Sequence, residues 1–442
     1  MILKLQTFFH KKRKVAEEIK DYRKWAEKGD VYFQVELANC YYDGDGVEQD
    51  YEEAFFWYKK ATEQGDDYAQ SALGRCYYYG EGVEQDDEEA VRWYKKAAEQ
   101  NYAPAQRFLG HCYYYGEGVG QNYEKAVLYL KKAIEQDDAY AKWLLGCCYE
   151  FGNGVKQDYE EAVYWYRKAA EQDNANAQYS LGVCYYYGNG VEKDEEEAVF
   201  WARKAAEQDN ARAQVLLGIF YYYGNGVGQN YEKAVHWYRK AAEQGNANAQ
   251  NNLGECYYYG DGVEEDEEEA VFWFKKAAEQ GNDEAQGNLG LRYRDGEGVE
   301  QNYEEAFRWF KKAAEQDNDV AQNELGICYY YGNGVEQNYE KAVYWIKKAV
   351  EQDNVDAQDS LGDCYFYGCG VEQDFEEAVH WFKKAAKQDN GFAQRNLGNC
   401  YAIGAGVPQD YEKAKMWHDK AKENGCEFDE ELLKEMEEAF NS

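Results

Sequence analysis

The chain has 442 residues, and its 85 acidic and 49 basic side chains give it a formal net charge of −36 at pH 7. Because phosphates bind through Lys and Arg, this charge excludes nucleic acid and anionic membranes as partners and leaves neutral or basic ones. No apolar run approaches the roughly 20 residues that cross a bilayer. The basic cluster near the N-terminus follows the apolar patch instead of preceding it, so we expect no secretory signal and a cytoplasmic protein.

The first predicted element is a helix near the N-terminus. Residues 14–28 have the sequence KVAEEIKDYRKWAEK. Their pattern of apolar and charged positions matches the second helix of the repeat that follows, but no glycine turn precedes them. Trp25 occupies a position that is alanine in later copies. We therefore predict an N-terminal capping helix within residues 1–30.

A 36-residue repeat follows and dominates the sequence. Glycine pairs recur from Gly44 and Gly46 to Gly404 and Gly406, each followed by valine, with a spacing of 36 and no insertion or deletion. Eleven copies fill residues 31–424. Self-similarity at such a period is the signature of a repeat architecture.

Each copy contains two amphipathic helices. In the first, apolar residues recur at i, i+4, i+7 and i+8, as in Ala69, Leu73, Cys76 and Tyr77. In the second they recur at i, i+3, i+4 and i+7, as in Ala90, Trp93, Tyr94 and Ala97. Both patterns place the apolar residues on one helix face, and strand alternation is absent.

The helix boundaries have recognisable chemistry. The second helix follows an N-capping Asp or Asn in every copy, at Asp50, Asp86, Asn122, Asp158, Asp194, Asn230, Asp266, Asn302, Asn338, Asp374 and Asp410. A Glu three residues later, such as Glu53, suggests a capping box. The first glycine of each pair is predicted to end the first helix with a positive φ. Gly74 and its equivalents lie inside the first helix, which predicts close approach of a Trp from a neighbouring helix.

The twelve cysteines do not suggest a disulfide framework. Most hold one position of the repeat, at Cys40, Cys76, Cys112, Cys148, Cys184, Cys256, Cys328, Cys364 and Cys400. Neighbouring copies of one position should lie about 10 Å apart, whereas a disulfide needs Cα atoms within about 7 Å. We interpret them as small buried residues in a reducing compartment. Cys369 and Cys426 lie outside this position and are candidates for exposed thiols, without a redox role.

The C-terminal residues 428–440, FDEELLKEMEEAF, have the pattern of a final first helix, which predicts a capping helix within residues 425–442. An open stack of repeats needs such polar caps at its ends. The predicted fold is therefore all-α: one α/α superhelical solenoid of helix-turn-helix repeats with a capping helix at each end.

The consensus AxAQxxLGxCYxxGxGVxxDyxxAvxWyxKAA resembles the Sel-1-like repeat, a relative of the tetratricopeptide repeat. The resemblance covers most of the chain. It implies a superhelix whose first helices line a concave surface, and a role as an adaptor or scaffold. A cysteine-rich branch of the family carries paired cysteines in each repeat and has been linked to penicillin handling. This sequence departs from that branch, because most copies have a single cysteine at a core position.

The positions that vary between copies indicate where a partner binds. They lie opposite the apolar face of the first helix, on what would be the concave wall. The fourth to sixth copies hold a consecutive apolar block there, made of Trp143, Cys147, Tyr179, Val183, Val215 and Ile219, flanked by Tyr186 and Tyr222. Arg75, Arg107 and His111 lie on one side of the block, and Asp356, Asp359 and Asp363 lie further along the other.

Two interpretations of this block remain open. It forms a partner groove, since contiguous apolar surface and aromatic side chains are typical of interaction sites. Alternatively, curvature buries it between neighbouring first helices, or drift after duplication produced the variety. We favour the groove, which predicts that alanine at Trp143 and Tyr179 abolishes partner capture with little change in melting temperature.

A second apolar row lies on the outer face of the second helices. It comprises Phe56, Leu128, Tyr164, Phe200, Phe272, Tyr344 and Met416. We expect these side chains to cover neighbouring residues instead of forming a second interface.

The sequence offers no catalytic or metal site. The five histidines are scattered without ligand spacing, and the carboxylates fall at helix caps and exposed helix faces. We expect a non-enzymatic, monomeric scaffold without cofactor or metal, which binds a neutral to basic protein or peptide. The alternatives are an enzyme of the cysteine-rich type and a structural array without a specific partner.

Overall fold

The computed structural model describes residues 18–426, and every regular element in this part of the chain is a helix. These residues divide into two compact units. The first runs to Phe220 and includes Gly224–Gly228, and the second contains Tyr221–Tyr223 and continues from Gln229. An all-α solenoid of helical hairpins is confirmed.

Helix α1 covers residues 18–26. The first helices of the repeats are α2 Val31–Asp43, α4 Asp67–Tyr79, α6 Ala103–Tyr115, α8 Ala139–Phe151, α10 Ala175–Tyr187, α12 Ala211–Tyr223, α14 Ala247–Tyr259, α16 Asp283–Asp295, α18 Asp319–Tyr331, α20 Val355–Tyr367 and α22 Gly391–Ile403. The second helices are α3 Tyr51–Thr62, α5 Asp87–Glu99, α7 Tyr123–Ile134, α9 Tyr159–Ala170, α11 Glu195–Glu207, α13 Tyr231–Glu243, α15 Glu267–Glu279, α17 Tyr303–Ala314, α19 Tyr339–Glu351, α21 Phe375–Ala386 and α23 Tyr411–Glu423.

The predicted N-caps of the second helices are confirmed, whereas the capping box forms only in part. Asp50 Oδ1 accepts a hydrogen bond from the backbone N–H of Glu53 at 3.0 Å. The Glu53 carboxylate does not return to the backbone of Asp50. It accepts instead from Trp57 Nε1 at 3.1 Å. The Asp50 N–H donates to the carbonyl of Tyr41 at 2.9 Å, so a backbone contact replaces the second half of the box.

The glycine pair forms the turn between the two helices, as predicted, and also joins successive repeats. Gly80 and Gly82 have φ values of 71° and 73°, in the left-handed region that favours glycine. A Cβ on Gly82 would lie 2.0 Å from the carbonyl oxygen of Tyr51, at the start of the preceding second helix. The second glycine therefore lets two backbones meet at a distance that no side chain permits.

The prediction of a Trp above the glycine within the first helix is wrong. A Cβ on Gly74 would lie 2.8 Å from ring atoms of Tyr94, and one on Gly254 would lie 2.8 Å from Phe274. The partner is the residue after the Trp, on the second helix of the same repeat. Tyr94 is fully buried there, so the glycine makes room for a large core side chain.

The cores are built from the predicted apolar positions. In the first unit, Leu144, Leu145 and Tyr166 are all 0% exposed and belong to one cluster. Burial of each such side chain contributes about 1.5–3 kcal/mol to stability. Val155, which follows a glycine pair, packs against this cluster.

A glutamine ladder links neighbouring repeats and was not predicted. Gln106 is 1% exposed, and its Oε1 accepts from Gln136 Nε2 at 3.2 Å. The same 30-residue contact recurs at 2.7 Å between Gln208 and Gln178. In the second unit it joins Gln280 to Gln250, Gln316 to Gln286, Gln352 to Gln322 and Gln388 to Gln358. Each rung satisfies a buried amide oxygen that would otherwise lose its contact with water.

All twelve cysteines lie in the described residues and all are free thiols. Burial raises the pKa of the Cys76 thiol to about 12, which keeps it protonated and unreactive. The expectation of an exposed Cys426 is wrong, since this residue is 7% exposed. Cys369 is half-buried, and its Sγ accepts a hydrogen bond from the hydroxyl of Tyr330 at 3.5 Å.

The predicted caps lie partly outside the described residues. In α1, Ile19 and Ala26 are buried in one cluster with Leu37 of the first repeat. Residues 1–17 and 427–442 fall outside the described part, so the division at 1–30, 31–424 and 425–442 remains a prediction. Among residues 18–426, no helix has the length and apolar character that crossing a membrane requires.

Candidate functional site

The predicted site residues all lie on first helices, and none is fully exposed. Cys147 and Val215 are buried, each at 9% exposure. The remaining predicted residues are half-buried, namely Arg75, Arg107, His111, Trp143, Tyr179, Val183, Tyr186, Ile219 and Tyr222. All belong to the first unit except Tyr222, which belongs to the second. The block is thus a partly covered surface.

Trp143 combines structural contacts with partial exposure, and Tyr179 is half-buried. Trp143 Nε1 donates to Ser180 Oγ in the next repeat at 3.2 Å, and its ring packs edge-on against Tyr140 at 5.1 Å. Burial raises the pKa of Tyr179, opposed by the charge of Arg212. Because Trp143 also packs on the core cluster, we now expect its replacement by alanine to lower the melting temperature, contrary to the expectation from sequence.

Tyr186 and Tyr222 each contact the glycine turn of the following repeat. Asn225 Nδ2 donates to the Tyr186 hydroxyl at 3.0 Å. The Tyr222 hydroxyl donates to Asp261 Oδ2 at 2.6 Å within the second unit. Tyr78 makes the equivalent bond to Glu117 at 2.5 Å. These contacts stabilise the junction between repeats and fix the tyrosine rings in place.

The predicted basic side chains meet aromatic rings. A cavity of about 330 Å³ is lined by Tyr78, Tyr79, Arg107, Phe108, His111 and Tyr140. His111 lies 2.7 Å from the Tyr140 hydroxyl through Nδ1 and 3.1 Å from Glu117 through Nε2. Burial lowers the pKa of His111, and the Glu117 carboxylate opposes this shift. Arg75 lies outside this cavity, with its guanidinium 4.0 Å above the ring of Tyr42.

An aromatic column on the last turn of the first helices was missed. In the first unit it consists of Tyr79, Tyr115, Phe151 and Tyr187, which are 56%, 47%, 62% and 66% exposed. In each of these copies the column residue is the last before the first glycine of the pair. On a helical wheel the column residue lies off the apolar face, and this position could have identified the column. A large aromatic residue that recurs outside the core needs an explanation other than burial.

Three of the four column rings pack on the tyrosine that precedes them, whereas Phe151 follows Glu150. The ring of Tyr187 packs edge-on against Tyr186 at 4.9 Å, and Tyr79 packs in the same way on Tyr78. Since Tyr186 and Tyr78 are fixed by the next repeat, the rings of Tyr187 and Tyr79 lose little freedom when another surface contacts them.

A second cavity lies in the second unit and contains carboxylates that the sequence analysis assigned to exposed faces and caps. That assignment is wrong for Asp359, Asp363 and Glu324. Burial, followed by repulsion from Asp363, raises the pKa of Asp359 to about 7. Burial raises the pKa of Asp363 to about 6, opposed by the charge of Arg395. These side chains line a cavity of about 470 Å³ between α18 and α22.

Comparison with protein families matches eleven consecutive copies of the Sel1 repeat. The matched segments are 31–66, 67–102, 103–138, 139–174, 175–210, 211–246, 247–282, 283–318, 319–354, 355–390 and 391–426. The chain belongs to the Sel1 repeat family. Its repeats are contiguous over almost the whole described range.

Two solved structures resemble this Sel1 repeat protein over most of its length. One is a crystal structure of a protective antigen present in uropathogenic Escherichia coli strains and displaying an SLR fold. It is 36% identical, with a TM-score of 0.72, and the match covers 95% of this chain and 90% of that one. The other, a Sel1 repeat protein from Oxalobacter formigenes, is 33% identical with a TM-score of 0.51, covering 69% of this chain and 89% of that one. No curated protein matches the chain.

The outer row of the Sel1 repeats covers tryptophans, in line with our interpretation. Phe200 packs edge-on against Trp201 at 5.1 Å, and Tyr164 packs on Trp165 at 5.0 Å. Lys204 lies 5.3 Å from the Trp201 ring centre on the same helix. The row therefore shields indole rings from water.

Within residues 18–426, no three His, Cys, Asp or Glu side chains are placed to hold a metal ion. The most buried histidine, His418, is 2% exposed, and its Nε2 lies 3.1 Å from Asn399 Oδ1. A Cβ on Gly398 would lie 2.2 Å from its ring, which places it where other copies hold a large core residue. His418 is thus a core residue of the last repeat.

Proposed function

We propose that this protein is a non-enzymatic scaffold or adaptor that binds a protein or peptide through the faces of its first helices. The Sel1 repeat fold is typical of protein-interaction scaffolds. In the first unit, the proposed surface consists of the predicted apolar block together with the aromatic column.

The observation that carries the proposal is the exposure of the column beside half-buried apolar side chains. Phe151 and Tyr187, on successive first helices, are 62% and 66% exposed. Trp143 and Tyr179 lie on the same two helices and are only partly covered. Aromatic side chains dominate binding hot spots because they bury a large area with few torsions.

Charge supports a neutral to basic partner. The chain carries a net charge of −36, so an acidic partner would meet long-range repulsion. The local cation Arg107 lies at one side of the apolar block and would orient the partner along it. We propose that the protein acts as a monomer in the cytoplasm.

The test compares two pairs of exposed aromatics in the first unit. A partner captured from native extract is identified, and its affinity for each variant is measured with purified proteins by calorimetry. Phe151→Ala with Tyr187→Ala should weaken binding at least about 30-fold, the loss expected from hot-spot residues. The matched control, Tyr164→Ala with Phe200→Ala, removes rings that are 51% and 47% exposed on the outer row and should leave affinity unchanged.

The result is interpretable only if the fold survives, so melting temperatures accompany the affinities. Equal losses of affinity in both pairs would contradict a surface on the first helices. Retained affinity in the Phe151 and Tyr187 pair would contradict it as well. Failure to obtain any specific partner would favour the structural-array alternative.

A further inference from the structure

Two junctions between first helices in the second unit are closed by an asparagine. Asn288 Nδ2 donates to Asn251 Oδ1 at 3.1 Å and to Glu255 Oε1 at 3.3 Å. Three repeats further along the chain, Asn396 Nδ2 donates to Asp359 Oδ1 at 3.0 Å and to Asp363 Oδ1 at 3.3 Å. In both cases one amide fills the gap and satisfies two acceptors of the preceding repeat.

The junction between α18 and α20 lacks this bridge. The repeat position of Asn288 and Asn396 is occupied by Ser360, whose side chain is too short to make the same contacts. Asn323, at the position of Asn251, is 4% exposed, and its Oδ1 has no hydrogen-bond partner in the described part of the chain. Both Asn323 and Ser360 line the cavity of about 470 Å³. The cavity thus lies at a junction that lacks the bridging asparagine.

The opposite wall carries acceptors that are only half used. Asp356 Oδ1 accepts from Asn390 Nδ2 at 2.8 Å. Asp359 and Asp363 share Asn396 through their Oδ1 atoms, so each of the three carboxylates has one oxygen engaged by an amide. Arg395 lines the same cavity and forms no ion pair within the described residues. The three aspartates therefore face the cavity with a net negative charge.

Apolar side chains surround the rest of the cavity. Ile327 replaces the acidic residue found at Glu255 and Asp363 in the bridged junctions. Ile346 and the rings of Tyr330, Tyr331 and Phe392 also line the cavity, as does Glu324, which pairs with Arg294; Tyr331 is 65% exposed. An aliphatic chain can pack on such rings while a cation at its end reaches the carboxylates.

We propose that this cavity binds the side chain of a lysine from a partner peptide. The ammonium group donates one of its three hydrogen bonds to Asn323 Oδ1 and the other two to oxygens of the aspartates Asp356, Asp359 and Asp363. The methylene chain packs against Phe392 and Tyr331. Single oxygens from separate side chains suit the three donors of an ammonium, whereas a guanidinium fork matches the two oxygens of one carboxylate. The site lies wholly in the second unit and does not depend on the apolar block of the first.

The experiment measures binding of small probes to the full chain by calorimetry. N-acetyl-lysine methylamide supplies the side chain with a peptide backbone, N-acetyl-norleucine methylamide is its uncharged analogue, and spermidine represents a free amine. We expect the lysine amide to bind and the norleucine analogue not to bind. Equal binding of the two amides, or binding of spermidine in preference to the lysine amide, would overturn the proposal.

Variants connect the binding to the cavity. Ser360→Asn should restore the bridge to Asn323 and reduce lysine-amide affinity at least about tenfold, without lowering the melting temperature. Asp356→Asn, which keeps the contact with Asn390, should also weaken binding. Unchanged affinity in both variants would refute the site. The Phe151 and Tyr187 double variant should bind the lysine amide normally, so failure of this proposal is distinguishable from failure of the proposed function.

Discussion

Replacement of Asp359 by asparagine should stabilise the protein at high pH. The side chains have the same shape, and an asparagine oxygen can keep the hydrogen bond from Asn396 Nδ2, which measures 3.0 Å in the wild type. Burial and the neighbouring Asp363 raise the pKa of Asp359 from 3.8 to about 7. One pKa unit corresponds to about 1.4 kcal/mol, so ionising Asp359 in the folded protein costs about 4 kcal/mol.

The sign follows from proton binding. Between pH 3.8 and about 7 the folded state holds a proton on Asp359 that the unfolded state has released, so wild-type stability falls as pH rises through this window. Asparagine does not titrate. The variant should therefore match the wild type below pH 3.8, gain stability progressively, and reach an advantage of up to about 4 kcal/mol above pH 7.

Amide hydrogen exchange in α20 measures the local opening free energy. Comparing variant and wild type at the same pH cancels the intrinsic pH dependence of exchange. Glu372→Gln, which removes an exposed carboxylate from the turn of the same repeat, serves as the control and should show no such trend. A variant that is no more stable than the wild type at pH 8 would refute the argument that burial of the Asp359 charge is costly.

Three further predictions concern the junctions between repeats and the buried thiols. Gly82→Ala should destabilise the protein by at least about 3 kcal/mol, because a Cβ would lie 2.0 Å from the Tyr51 carbonyl oxygen. The control Gly65→Ala, where a Cβ would have no atom within 4 Å, should cost only about 1–2 kcal/mol for the positive φ. Equal shifts of the denaturant midpoint in the two variants would contradict the steric explanation. Gln106→Leu should cost about 1–3 kcal/mol, since it removes the hydrogen bonds of the buried Gln106 amide with Gln136 and with the Asn101 side chain, and an unchanged midpoint would show that the ladder is dispensable. Iodoacetamide at pH 8 should leave Cys76, whose pKa is about 12, unmodified in the folded protein and label it in denaturant, and rapid labelling before unfolding would show that the thiol is accessible.

The hairpin architecture was predictable because it depends on local chemistry. Helical periodicity, an N-capping Asp such as Asp50 and a glycine with positive φ such as Gly80 each act within a few residues. Which aromatic residue lies over Gly74 depends instead on how the helices cross, and for this reason a Trp was expected where Tyr94 is found. The helical periodicity of the sequence identifies the helices but does not determine which side chains touch between them.

The candidate sites were predicted less completely. Trp143 and Tyr179 were identified because they vary between copies, but their half-burial depends on the neighbouring repeat. Exposure of Tyr187 contradicts the usual burial of aromatic residues, and so the aromatic column was missed. The cavity beside Ser360 could not be predicted without the spatial arrangement of three repeats. The change from asparagine to serine at this position was nevertheless visible in the sequence.

The most direct test of a partner surface on the first helices is hydroxyl-radical footprinting of the complex. The free protein should react at Phe151 and Tyr187, which are 62% and 66% exposed, and at Tyr164 on the outer row, which is 51% exposed. With the partner bound, we predict strong protection of Phe151 and Tyr187 and unchanged reactivity of Tyr164. Protection of Tyr164 with continued oxidation of Phe151 and Tyr187 would contradict the account.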